Sequence, residues 1–363
     1  MGSEPIRYHD GLETVQADEA QIHAEMIETF NKIQNITAKD YGRAVRGVHA
    51  KSHGVLVGRL AVLPNLPPAY AQGFCASPGQ HDVVLRLSTN PGDILDDSVS
   101  TPRGLAVKVM GVEGERLPGE DGTSQDFVMA NAPGFTAPDA KAFLRSLKLL
   151  ATTTDTPQIF KKGLSAVLRN VEAALEAVGT KSPTLISLGG HPETHILGET
   201  FYSQVPLRWG DYVAKVAVAP LSPGLTELTG APLDVNGVPD GLRNAVSNFF
   251  AVHAGTWEVR VQLLTDLDTM PIEDASKVWS EDESPYVPVA RIDVARQDSW
   301  SDGKIRSVDE GASFNPWHCL AAHRPLGSIM RARRAIYPKS AAFRAAHNGC
   351  PIHELASAAE VGE

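Results

Sequence analysis

Tyr337 lies four residues after Arg333 and seven before Arg344. On one helix, positions 333, 337, 340 or 341, and 344 share a face. Guanidinium groups beside a phenol favour its ionised form. A phenolate is one of the few protein groups that holds haem iron as an axial ligand. The segment therefore predicts ferric haem chemistry, with Tyr337 as the metal ligand.

Two other segments carry the complementary chemistry. Arg46-Gly47-Val48-His49-Ala50-Lys51 presents a histidine, the usual acid/base group for splitting a peroxide. Such a ring takes a proton from one peroxide oxygen and returns it to the leaving one. In Val84-Leu85-Arg86-Leu87-Ser88-Thr89, Arg86 and Ser88 share one face of a strand. A serine hydroxyl can orient an imidazole through Nδ1, and an arginine can clamp a carboxylate bidentately.

The chain that must position these residues has 363 residues and a formal net charge of −10, which argues against a nucleic-acid or membrane surface. Its three cysteines, Cys75, Cys319 and Cys350, are far apart, and no zinc or covalent-haem spacing appears. Reduced thiols and a polar start without an apolar signal core point to a cytoplasmic protein. No apolar run approaches membrane-spanning length. Residues 1–18 read as a loose polar arm, 19–350 as one domain and 351–363 as a tail.

Helical spacing covers 19–36, 137–151 and 159–178, and 313–347 is expected to be helical around Tyr337. Strands are expected at Asp82–Leu87, Leu105–Val109, Phe127–Met129 and Trp257–Leu263, with further candidates at 212–218 and 287–294. Glycine and proline mark 179–192 and 220–240 as connections. Separated strands with helices between and after them suggest an α+β fold around an antiparallel barrel.

The motifs, in this order, resemble the catalase superfamily. Arg46 to Lys51 resembles R-x-V-H-A-K, Arg86-Leu-Ser88-Thr resembles R-F-S-T, and Pro102 to Lys108 resembles P-R-G-F-A-V-K. Lys277-Val278-Trp279 with Pro285, then Phe314-Asn315-Pro316, then Arg333 through Tyr337-Pro338 continue the pattern. The similarity runs from about residue 40 to 347. The resemblance implies a catalase-like antiparallel β-barrel with surrounding helices, and haem b as cofactor. It makes Tyr337 the iron ligand, with Arg333 supporting its phenolate. His49 becomes the catalytic acid/base and Ser88 its orienter, while Arg46, Arg86 and Arg344 hold propionates. Val48 lies against the haem, and Phe135, one place off the family register, stacks there too.

The sequence also departs from the family. The distal asparagine is replaced by Asp121 or Gly122 in an ungapped match, with Gln125 or Asn131 as substitute amides. The channel carboxylate is Thr101, and the apolar channel residue after R-F-S-T is Asn90. Few residues follow Tyr337, so the family's C-terminal helical domain is expected to be absent, as in small bacterial relatives. A core lacking the distal amide is expected to be a haem peroxidase, working on hydrogen peroxide or organic hydroperoxides through a ferryl intermediate. The alternatives are hydrogen peroxide dismutation, lyase or allene oxide synthase-like isomerisation of lipid hydroperoxides, and a non-enzymatic haem protein. The implied partners are a small peroxide and a small reductant, with no nucleic acid, no membrane span and a possible homo-oligomer. His49 and His53 as a metal pair, Asp93, Asp96 and Asp97 as a calcium loop, and Trp317-His318-Cys319 beyond packing are set aside.

Overall fold

Leu85 and Leu87 point to one side of their strand, and Val84, Arg86 and Ser88 to the other. Strand alternation of this kind sorts the apolar row into a shared interior and sends the mixed row outward. A computed structural model describes residues 4–153 and 191–362. The helix expected over 159–178 lies outside them.

Nine strands are described: β1 Ser52–Val62, β2 Gln80–Thr89, β3 Arg103–Val109, β4 Gln125–Ala130, β5 Phe201–Tyr202, β6 Leu207–Trp209, β7 Tyr212–Pro220, β8 Gly255–Leu263 and β9 Val287–Val294. They run in the order β5-β4-β3-β2-β1-β9-β8-β7-β6, and β5 also pairs with β7. The result is a closed eight-stranded antiparallel barrel, with β6 attached as a hairpin to β7. Inward rows from Leu56, Leu85, Leu105, Phe127, Val216, Trp257 and Ile292 fill it with side chains. The barrel is therefore a core, and its chemistry must lie on its outer face.

Three helices form the second layer: α1 Glu19–Tyr41, α2 Ala140–Thr153 and α4 Ser328–Asn348. Met26, Phe30 and Ile33 of α1 meet Leu144 and Leu147 of α2 and Ile329, Ala332 and Ile336 of α4 in one apolar cluster. A further helix, α3 Gly241–Val252, packs Val246 and Phe250 onto the barrel core. No described helix is long and apolar enough to cross a membrane.

Several expectations need correction. The helix around Tyr337 begins at Ser328 and not at 313, because Pro325 and Gly327 (φ 86°) interrupt the chain just before it. Helix α3 and strand β1 were not anticipated, since neither carries a clean period in the sequence. The arm before α1 is not loose. Ile6 N–H donates to Leu264 O at 2.8 Å, Tyr8 N–H donates to Asp211 O at 2.8 Å, and Ile6, Tyr8 and Leu12 pack on a buried cluster around Trp279.

Candidate active site

Sheet register assembles one wall of the site. Arg86 sits beside Ala106 and Ala106 beside Val128, while Ser88 sits beside Gly104 and Gly104 beside Ala130. The outer face of β2–β4 thus presents two short rows toward the helices. The 46–51 segment lies along the end of β2, held by His49 N–H to Asn90 O at 2.8 Å and Ala50 N–H to Pro91 O at 3.0 Å.

His49 adopts φ 52°, a left-handed conformation that non-glycine residues rarely take. Its Nδ1 lies 3.0 Å from Ser88 Oγ. Gly104 makes this placement possible. A Cβ there would fall 2.4 Å from His49 Cε1 and 2.5 Å from Nδ1, closer than any real contact. Burial, then Arg86, Arg333 and Arg46, lowers the His49 pKa to about 3, so the ring is neutral at ordinary pH. With Nδ1 engaged by Ser88, Nε2 is the nitrogen left for chemistry.

A cavity of about 680 Å³ lies between this wall and the helices. His49, Val48, Arg46, Arg86, Ser88 and Phe135 line it from the barrel side and its loops, and Arg333, Tyr337 and Arg344 line it from α4. All nine residues singled out in the sequence therefore border one space. Pro338 follows Tyr337 directly within α4, where it has no N–H for the Arg334 carbonyl. Arg333 stands one turn before Tyr337. Its guanidinium lies 5.7 Å from the centre of the Phe135 ring, and Nη1 is 3.7 Å from Met330 Sδ. Phe135 meets Phe143 edge to face at 5.1 Å.

The three arginines assigned to carboxylate binding converge on one turn of chain. Arg46 Nη2 donates to the carbonyls of Val308, Asp309 and Ala312 at 3.2, 2.9 and 3.1 Å. Arg344 donates to Glu310 O at 3.0 Å and Ala312 O at 3.2 Å. Arg86 Nε pairs with Asp309 Oδ1 at 2.7 Å. Three guanidiniums thus meet one carboxylate, an excess of two positive charges. The strain registers in their proton affinities. Burial, then Arg344 and Arg86, pulls Arg46 well below its ordinary range. Burial, then Arg86, brings Arg344 down to about 10. Burial acts to raise the Asp309 carboxyl, but Arg86 and Arg46 outweigh it and hold it below the usual carboxylate range. Arg46 Nε is buried with no hydrogen-bond partner. This set fits a flat group bearing two carboxylates on one edge, as haem does.

The amide expected to substitute for the distal asparagine is narrowed. Asp121 is exposed and, like Gly122, does not line the cavity, and Gln125 is turned to Leu320 N–H at 3.0 Å. Asn131 does line it. Its Nδ2 donates to His191 Nε2 at 2.7 Å and to Glu199 Oε2 at 3.3 Å, and its Oδ1 accepts from Arg103 N–H at 3.0 Å. Both amide N–H groups are therefore engaged. Thr101 is buried away from the cavity, whereas Asn90 borders it. Sequence reading missed His191, Thr194 and Glu199, because only the fold brings them to Asn131. Trp317 packs behind α4, its Nε1 donating to Met330 O at 2.8 Å and Arg334 stacking on its ring.

No protein-family model matches this sequence, and no curated protein matches it. Solved structures do. A fungal catalase aligns with TM-score 0.57 and 16% identity over 96% of this chain and 66% of its own. Catalase A from Saccharomyces cerevisiae aligns with TM-score 0.58 and 17% identity over 96% of this chain and 67% of its own. A bacterial catalase aligns with TM-score 0.59 and 17% identity over 97% of this chain and 67% of its own. The chain thus spans about two thirds of the length of these enzymes, and it has the catalase fold.

Proposed function

We propose that this chain is a haem-dependent peroxidase that reduces hydrogen peroxide or organic hydroperoxides at the expense of a small reductant. The observation that carries the reading is the common cavity shared by the His49–Ser88 pair, Tyr337 and three arginines with two positive charges in excess. In this reading Tyr337 would hold the iron of haem b, Arg46, Arg86 and Arg344 would hold its carboxylates, and Val48 and Phe135 would supply apolar contact. Arg333 favours the phenolate of Tyr337 through its charge one turn away. The haem, when bound, supplies the metal that accepts two oxidising equivalents from the peroxide.

His49 performs the proton work. Its neutral Nε2 accepts the O–H proton of a bound hydroperoxide and passes it to the departing oxygen, which leaves as water or an alcohol. Ser88 keeps the ring in the required orientation. A second reading, dismutation of hydrogen peroxide, is favoured by the names of the three fold neighbours. It calls for a donor to orient each peroxide, and the engagement of both Asn131 N–H groups supports the peroxidase reading instead. A cytoplasmic location and a homo-oligomer belong to the same proposal.

The test is spectroscopic and kinetic. Wild-type protein should take up haemin with a Soret band and oxidise a phenolic dye with peroxide faster than it evolves oxygen. Tyr337→Phe should lose or greatly weaken haem binding, and His49→Ala should bind haem but slow dye oxidation by roughly a hundredfold or more. An unchanged Soret band in Tyr337→Phe, or full turnover in His49→Ala, would refute the assignment.

A further inference from the structure

The chain that leaves α4 returns to the barrel. Leu355 and Val361 are buried, in one apolar cluster with Val308, Ala312 and Phe314 and with Val55 and Val84 of the barrel wall. Ala358 N–H donates to Asp82 Oδ2 at 3.2 Å, and Glu354 Oε2 accepts from Lys108 Nζ at 2.7 Å. Residues 351–362 thus form a strap across the turn that spans 305–312.

That turn is the one that receives the arginines, and its carbonyls are shared out in alternation. Glu310 O takes Arg344 at 3.0 Å, Gly311 O takes His353 N–H at 2.7 Å, and Ala312 O takes Arg46 at 3.1 Å and Arg344 at 3.2 Å. Ala312 and His353 pair as a parallel bridge, and Gly362 N–H donates to Ser307 Oγ at 3.1 Å. Adjacent peptide planes share a Cα, so a bond that fixes the 311 carbonyl limits how far those of 310 and 312 can turn. Phe314 belongs to both structures. It sits in the cluster with Leu355 and Val361, it borders the cavity, and the Arg46 guanidinium lies 5.8 Å from its ring centre.

The turn needs such a brace. Residues 305–310 are π-helical, a geometry that recurs at functional sites. Arg46, Arg86 and Arg344 repel one another across it, because Asp309 answers only one of the three charges. Until carboxylates arrive, that repulsion favours opening of the turn, and the strap opposes it.

We propose that Leu355, Val361 and Glu354 are positioning residues: the strap clasps the 305–312 turn from outside and holds the three arginines ready for two carboxylates in the empty protein. The first half of the proposal stands on the packing, and the second rests on the haem reading of the cavity.

Hydrogen exchange on the haem-free chain tests the clasp. Leu355→Ala opens a void in the cluster that holds Val308 and Ala312, so amides of 305–312 should exchange about tenfold or more faster, with those of β2–β4 unchanged. Glu354→Gln, at a partly exposed side chain, should give the same pattern on a smaller scale. Titration with haemin and with its dimethyl ester tests the link to the arginines. Leu355→Ala should bind haemin about tenfold more weakly, as when the competent arrangement falls to about a tenth of the population, and should bind the ester, which lacks free carboxylates, as wild type does. Unchanged exchange at 305–312 in both variants, or exchange quickened equally in β2–β4, would overturn the clasp. Equal weakening of haemin and ester, or weakening of neither, would overturn its link to the arginines. If Leu355→Ala does not fold, Glu354→Gln decides alone. If wild type binds neither porphyrin, the haem reading fails, and the exchange experiment still decides the clasp.

Discussion

Gly104 and His49 show how finely a single position sets the chemistry. The ring occupies the place a side chain at 104 would take. Gly104→Ala should push the imidazole off Ser88 while leaving the arginines and Tyr337 in place. Peroxide cleavage should fall on the order of tenfold to a hundredfold, in keeping with a misplaced acid/base group, with haem uptake retained. Stopped-flow peroxide reaction and the Soret band check both halves, and an unaltered rate would contradict the proposed role of His49. Residues of this kind were legible in the sequence. His49, Arg86, Ser88 and Tyr337 sit in contiguous runs whose spacing carries the pattern. Glu199 and His191 were not legible, because nothing local marks them and only the barrel brings them to Asn131.

At the scale of elements, α4 is fixed at its start. Arg331, six residues before Tyr337, pairs with Glu13 at 2.6 Å, Glu19 at 2.6 Å and Glu273 at 3.0 Å. Ser328 N–H donates to Glu273 Oε2 at 2.9 Å, and Gly327 N–H to Glu13 Oε1 at 2.9 Å. Burial acts against the charge of Arg331, but its bonds to Glu19 and Glu273 outweigh that and strengthen its hold on the proton. Three separate segments thus grip the helix that bears Tyr337. Glu273→Gln should cost about 1–2 kcal/mol of stability, since it weakens a partly buried network rather than an exposed pair. Thermal melting reads that loss, and release of haem to a competing acceptor should quicken several-fold. An unshifted melting temperature with unchanged haem release would show that the network does not fix α4. The network was hidden in the sequence because Glu13 lies in a segment whose polarity suggests solvation. The start of α4 was misjudged for a related reason: the apolar residues from 314 to 326 are buried as turns, and turns leave no period.

Over the whole molecule, the C-terminal segment closes onto the barrel through a charge cluster that runs from buried Lys108 and Asp126 to exposed Glu354. Lys108 Nζ lies 2.9 Å from Asp126 and 2.7 Å from Glu354, and His318 Nδ1 lies 3.3 Å from Asp126 and 3.2 Å from Glu354. Burial opposes the charge on His318, yet Asp126 and Glu354 raise its pKa to about 9. A folded-state pKa above the unfolded one adds stability that is complete below about 6.5 and lost as pH rises through about 9. Melting temperature should therefore fall between these values, by the equivalent of roughly 2 kcal/mol, and should fall less in His318→Asn. Equal slopes in the two proteins would remove His318 from the account. The barrel itself was legible in outline, because β2, β3, β8 and β9 carry β-branched alternation that survives burial. The strand that closes it was not, since β5 has only two residues and no pattern to read.

That brevity has a cost and a use. A cylinder zipped shut along most staves by many rungs, but at one stave, among the described residues, by the short run Phe201 to Ser203, has a built-in parting line. Gln204, just past the parting line, borders the same chamber as His49. Breathing of the wall would therefore begin next to that chamber, and a bulky guest could be admitted there without unmaking the rest of the scaffold.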